Sequence, residues 1–376
     1  MSQPAGAAIV LSRMPRLIAP DAVWLSGLRA ALRRINERSQ VLLVASGTSG
    51  SDFLRRGAER LGVVTKVVPD ASAADTDAPD SSTRDRGLIE RADEVLVLGI
   101  RPRGNLHRLL AERLELNRRG VLLVDLPGLQ PDPVKQELLS LGAVTWTPPH
   151  ESLRPISDAA GERWPGTLMQ QPEPVLTLGA IPPRQTGDYL THTTRACPGP
   201  WPGQPREDYL DSLLDSRPDG DHSALNTLLR IVGQRRLIGS GRTIRGGHPV
   251  VSFTGVNVRE LPGLRCFQNH RARWDFEPYA VSIRRGALER LGARAASYGG
   301  ETVWDQMADG DRPYFQLSGD SGRVDWSMEQ EWRFPGDLDL SCFGPDEVML
   351  FVPNVAAARR LRPPAPWPIT LWPAEV

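Results

Sequence analysis

"VLLVASGTSGSDFLRRGAERLG", residues 41 to 62, decides the fold class. Its first residues are continuously apolar, which is how a strand covered on both faces reads. The run breaks into small residues, and "SDFLRRGAERLG" then sets its apolar positions at helical spacing, with Ser51 or Asp52 as the expected N-cap and Gly62 as the stop. Working outward, the same alternation recurs. Upstream, "VWLSGLRAALRRINER" (Val23 to Arg38) places Leu25, Leu28, Leu32 and Ile35 on one helical stripe. Downstream, "VVTKVVP", "EVLVLGI", "VLLVDLP" and "AVTWTP" have the length and texture of strands. The helical patterns "RGLIERA", "GNLHRLLAERLELNRRG" and "DPVKQELLSLG" lie between them. Such alternation predicts an α/β domain over residues 1–148: a doubly wound, parallel, Rossmann-like sheet with helices on each face.

At 376 residues the chain is long for one core, and a second domain is expected. Prolines recur without a period over residues 149–186, which marks a linker, and the acidic stretch "ASAADTDAPDSSTR" (71–84) reads as a surface loop. From 187 to 376 short strands and long arginine-rich loops predict an α+β domain. Forty-five basic and 45 acidic residues cancel, so no global field favours nucleic acid or an anionic membrane. Cys197, Cys266 and Cys342 form no CxxC pair, so neither a zinc knuckle nor a disulfide framework is signalled and no metal is expected. No stretch reaches the roughly 18 apolar residues of a membrane span. The expectation is a cytoplasmic protein without a membrane segment.

Two places in the first domain suggest ligand chemistry. "ASGTSGSD" ends a strand and opens a helix, where backbone amides and the hydroxyls of Ser46, Thr48, Ser49 and Ser51 suit phosphate oxygens and Gly47 and Gly50 allow close approach. The spacing is neither GxGxxG nor a P-loop, so a phosphate seat and a plain tight turn both fit it. A second strand-end loop, "GIRPRGN", brings Arg101, Arg103 and Asn105 toward the same end of the sheet. In the second domain, "YLTHTTRA" alternates so that Leu190, His192 and Thr194 share one face and Thr191, Thr193 and Arg195 the other. "SFT" (Ser252 to Thr254) flanks an aromatic with hydroxyls, and "DWSMEQEWRF", if extended, aligns Glu329, Glu331 and Arg333. Those charges equally suit a salt-bridge ladder along a strand. The stiff loop "ACPGPWPGQ" after the histidine strand suits either a rim with Trp201 over a bound ring or a buried Trp anchor. "RCFQNHRARWDFEPY" (265–279) mixes basic and aromatic residues as single-strand binders do, and it is equally an arginine-rich surface loop or part of a ligand site holding His270, Arg273 and Asp275.

The order strand, "SGTSGSD", helix, "RADEVLVLGIRPRGN" resembles the SLOG and DprA/LOG-like nucleotide-binding Rossmannoid domains, which implies binding of an unidentified nucleotide. The order "LTHTTRA…LLRIVGQRRLIGSG…VVSFT…YAVSIRRGALERLGARAASYG…WSMEQEWR" resembles the AbiGi-type abortive-infection domain and, distantly, the DarT-type DNA ADP-ribosyltransferases. That resemblance implies an ADP-ribosyltransferase-like domain that uses NAD as substrate, for transfer or hydrolysis, in a sensor-effector protein of anti-phage defence. It equally admits a degenerate transferase fold serving as an antitoxin or scaffold. The roles it implies are Glu331 as the carboxylate beside the ribose, with Glu329 nearby, Ser252 or Thr254 positioning Glu331, and His192 and Thr193 on the cofactor. Phe253 or Tyr279 would stack on the nicotinamide. The implied partners are NAD or a nucleotide, a protein or nucleic-acid acceptor, and a second copy of the chain.

Overall fold

The sequence's apolar runs become six strands: β1 (Gly6–Leu11), β2 (Val41–Ala45), β3 (Thr65–Val68), β4 (Glu94–Gly99), β5 (Val121–Val124) and β6 (Val144–Trp146). In this computed structural model, which describes residues 4–12, 14–45, 47–48, 50–68, 81–127, 132–157, 179, 188–268, 273–317, 326–361 and 365–373, they form one all-parallel sheet. The order is β3-β2-β1-β4-β5-β6. Alternate residues of β1 enter two different cores. Ala7 and Ile9 pack on the side covered by α1 (Val23–Glu37) and α2 (Ser51–Arg60). Ala8 and Val10 pack on the side covered by α3 (Ser81–Arg91), α4 (Asn105–Glu115) and α5 (Pro133–Ser140). Burial on both faces is why these strands lack polar alternation. The doubly wound sheet expected from the sequence is therefore present.

Two local expectations change. Gly50, not Ser51 or Asp52, is the N-cap of α2; Ser51 is already helical, and its hydroxyl donates back to the Thr48 carbonyl at 2.8 Å. Helix α3 starts at Ser81, so the last residues of the predicted 71–84 loop are helical. The rest of that loop lies outside the described residues.

The chain divides into two units, residues 1–162 with 198–221, and residues 163–197 with 222–376. Helix α6 (Arg206–Leu214) thus belongs to unit 1 although it follows the first strand of unit 2 in sequence. Its attachment is chemical as well as apolar. Leu210, Leu213 and Leu214 join the core beneath α1 and α2, and Arg56 grips Asp211 through two bonds of 2.8 and 2.6 Å. Buried Arg29 donates to the carbonyls of Leu153 and Leu214, and burial lowers its pKa to about 10, so it stays charged at neutral pH. Trp201 is buried. Of the predicted linker at 149–186, His150–Leu153 forms a short 3-10 turn held by Arg29, while 158–178 and 180–186 lie outside the described residues.

Unit 2 is built on β7 (Tyr189–Thr193), β8 (Val250–Thr254), β9 (Ala280–Arg284), β10 (Arg294–Ala295), β11 (Glu331–Pro335), β12 (Val348–Val352) and β13 (Ile369–Leu371). They form one sheet in the order β10-β11-β8-β7-β9-β12-β13. Every pairing is antiparallel except β12 with β13. Helix α7 (Ala224–Gln234), capped by Ser223, lays Leu228, Ile231 and Val232 into the core with Leu190, Phe253 and Val281. Among the described residues no helix is long and apolar enough to cross a membrane.

Candidate functional site

Strands β8 and β11 pair along five residues, whereas β7 meets β8 at one register pair, Thr191 opposite Thr254. Beyond that pair the His192 ring replaces the ladder, with Nδ1 donating to the Ser252 carbonyl at 2.8 Å. A cavity of about 390 Å³ opens here, lined by Thr191, His192, Thr193, Thr194 and Arg195 of one chain segment, by Ser252, Phe253 and Thr254 of β8, and by Glu329, Glu331 and Arg333. Thr227, Thr243, Ile244, Asp275, Phe276 and Gln316 complete it.

Register decides which side chains meet. Thr191, Thr254 and Glu331 stand opposite one another across β7, β8 and β11, and Ser252 stands opposite Arg333 on the same face. Glu331 Oε1 accepts from Ser252 Oγ at 2.9 Å and from Arg333 Nε at 2.9 Å, and Oε2 accepts from Arg333 Nη2 at 3.0 Å. Arg333 is 1% exposed, and its remaining N–H groups reach the carbonyls of Pro313 and Phe315 and the Gln316 side chain. All five donors of the guanidinium are therefore satisfied, the condition under which a buried ion pair is tolerated. A carboxylate offers about four acceptor sites, so Glu331 keeps one for a ligand.

Burial pushes the His192 pKa down to about 4, the hydrogen bond to Ser252 opposing this and the Arg195 charge adding to it. The imidazole is neutral at pH 7. With its Nδ1 proton committed to Ser252, Nε2 is left as an acceptor. Its ring lies edge-on to Phe253 at 5.9 Å.

Of the residues singled out from the sequence, His192, Thr193, Ser252, Thr254, Glu329 and Glu331 all line this cavity, in differing ways. Thr254 does not reach Glu331: its hydroxyl donates to the Glu329 carbonyl and accepts from the Val256 amide at 3.1 Å. Glu329 does not share the strand face of Glu331 and Arg333. It lies in a 3-10 turn (Trp326–Glu329), and Gln330 at φ 45° bends the chain before β11 begins. Phe253 also lines the cavity, although it is 3% exposed and packs into the hydrophobic core. Tyr279 is not on the cavity wall, and its carbonyl accepts from the Thr194 amide at 2.8 Å. Trp201 is not on that wall either.

Sequence reasoning names Asp275 but neither its ion pair with Arg195 at 3.6 Å nor Phe276, a buried aromatic at φ 56° on the wall. Phe276 was within reach, since it belongs to the same "RWDFEPY" run. His270 and the Arg273 side chain lie outside the described residues. Phe267 and Trp274 of the same run form an exposed edge-on pair, with Arg265 over the Trp274 ring. Among the described residues no group of three or more His, Cys, Asp or Glu side chains gathers as metal ligands would.

In unit 1, Thr48 and Gly50 of the glycine turn line a cavity of about 260 Å³ at the carboxyl ends of the central strands, and Gly47 turns the chain at φ 70°. Ser46 and Ser49 lie outside the described residues. Arg101 and Arg103 do not line this cavity: the Arg101 amide bonds to Ser12 Oγ at 3.0 Å and the Arg103 amide to His107 Nδ1 at 3.2 Å. Asn105 acts one step removed, donating to wall residue Asp85 at 2.9 Å. Arg84, which the sequence pattern left in a loop, is the arginine on the wall.

Neither a family model nor a curated protein matches this chain. Among solved structures it is similar to the Moco carrier protein from Chlamydomonas reinhardtii, 17% identical, with 39% of this chain and 91% of that one covered and a TM-score of 0.29. It is likewise similar to the molybdenum cofactor binding protein from the phototrophic bacterium Rippkaea orientalis, 17% identical, with 40% and 93% covered and a TM-score of 0.29. Likenesses of this strength carry no functional argument.

Proposed function

We propose that unit 2 uses NAD, breaking the bond between nicotinamide and ribose and passing ADP-ribose to an acceptor or to water. One observation carries the proposal: the Glu331 carboxylate, fixed by Ser252 and buried Arg333, faces a hydroxyl-rich cavity beside a neutral histidine. As that bond lengthens, its electron pair moves to the pyridine nitrogen and positive charge builds on the ribose. A fixed carboxylate bonded to a ribose hydroxyl stabilises that charge without reorganising. The acceptor oxygen or nitrogen then bonds to the anomeric carbon and loses its proton. His192 Nε2 is an acceptor for a ribose hydroxyl or the carboxamide, and Arg195 is a cation for the pyrophosphate. The cavity volume falls in the range of small-molecule sites, roughly 300–1,000 Å³.

In the same proposal unit 1 is a ligand-binding module and the protein a sensor-effector, its setting anti-phage defence. The test is release of free nicotinamide from NAD by the purified full chain. Glu331→Gln is expected to slow release by about 100-fold or more, and Ser252→Ala to slow it less while leaving the Arg333 pair intact. Equal release by wild type and Glu331→Gln contradicts the assignment. NAD that binds but is never cleaved points instead to a non-catalytic binding protein.

A further inference from the structure

The cavity of unit 1 lies where the sheet order reverses, between β1 with β2 on one side and β4 on the other. Its walls divide by chemistry. Trp24, Phe53, Leu28 and Leu98 form an apolar side, with the Trp24 and Phe53 rings edge-on at 5.7 Å. Trp24 Nε1 is buried and makes no hydrogen bond among the described residues, so an indole donor here lacks an acceptor. Thr48 and Arg84 form the polar side. Arg84 lies close over the glycine turn: a Cβ on Gly47 would stand 2.7 Å from Arg84 Nη1, and Gly47 holds a left-handed φ of 70°. The left-handed φ favours glycine there. A guanidinium thus sits over the turn that opens α2, whose first amides point the same electrostatic way. Among the described residues Asp85 is the acid on the wall, and one of its bonds is accepted from Asn105 at 2.9 Å.

We infer that this cavity binds a compact planar aromatic molecule carrying one anionic group, the ring against Trp24 and Phe53 and the anion on Arg84 and Thr48. The inference rests on unit 1 being a ligand-binding module and narrows its ligand to a class. At about 260 Å³ the space suits one ring system and its substituent, not a dinucleotide. A carboxylate and a monophosphate share the chemistry.

Calorimetric titration of the full chain with two matched pairs separates them: AMP against adenosine, and indole-3-acetate against indole-3-acetamide. In one pair the anion is expected to bind at least tenfold tighter than its neutral partner, and the responding pair identifies the anion. Arg84→Gln should abolish that preference. Glu331→Gln should leave it unchanged, so failure of NAD cleavage and failure of this site read out separately. Neutral partners binding as tightly as the anions, or a preference that survives Arg84→Gln, overturns the anion assignment and leaves unit 1 a ligand-binding module. Silence from all four compounds overturns both.

Discussion

In unit 1 the buried guanidinium groups bond to backbone carbonyls and, for Arg29, the Ser216 hydroxyl, with no carboxylate partner among the described residues, whereas in unit 2 the buried guanidinium pairs with a carboxylate. Arg29 ties α1 to the carbonyls of Leu153 and Leu214, and Arg113 ties α4 to those of Ile89, Asp93 and Arg119. Burial lowers the pKa of both, and their bonds splice distant segments of chain together. Arg333 also reaches two carbonyls, but its charge is balanced by Glu331 on a cavity wall. A buried ion pair is no more stable than a well-packed apolar pair of equal volume, so stability alone does not explain it. The carbonyl splices hold the fold, and the ion pair aims an acid.

The largest effect expected from breaking this contrast is at Arg333. Arg333→Leu strands Glu331 in a half-buried site and should cost about 3–5 kcal/mol in denaturant unfolding, much of it recovered in the double variant with Glu331→Leu. A single-variant cost below about 1 kcal/mol would mean that the pair is effectively solvated.

The next effect is a pH slope that unit 2 carries through His192. Its folded pKa of about 4 lies below the ordinary imidazole value of 6.5, so the unfolded chain takes up a proton that the folded one resists. The stability that follows is fully present above pH 6.5 and is lost as pH falls toward 4, on the order of 3 kcal/mol in all. His192→Gln, which keeps a donor for the Ser252 carbonyl, should flatten the slope of stability against pH over that window. An unchanged slope would show that the imidazole is not desolvated.

The smallest effect belongs to exposed pairs. On α4 of unit 1, Arg108 and Glu112 bond at (i, i+4) spacing with both side chains exposed. Glu112→Gln should shift the unfolding midpoint by less than about 0.5 kcal/mol, and a larger shift would erase the distinction between splice and surface pair.

The two units also differ in how far their sequences disclosed them. Strands β2, β4 and β5 are legible because burial on both faces leaves runs such as Val41–Val44 with no polar interruption. In unit 2 the alternation of β7 identifies a strand and its two faces. Whether Ser252 meets Glu331 depends on the register of two strands about 80 residues apart, which no local pattern sets. Glu329 was misplaced because a left-handed Gln330 cannot be read from "MEQEW". That Phe253 packs into the core as well as lining the cavity depends on its neighbours, which its own position in "SFT" does not disclose. The return of α6 to unit 1 rests on Asp211 meeting Arg56 across more than 150 residues, a contact invisible to any window of sequence.

The most direct test is a crystal structure of the full chain with a non-hydrolysable NAD analogue. A nicotinamide-ribose hydroxyl within roughly 2.6–3.2 Å of Glu331, with the Ser252 and Arg333 bonds retained, is the result predicted. An analogue bound away from the β7–β8 opening, or one that displaces Arg333 to reach Glu331, would contradict it.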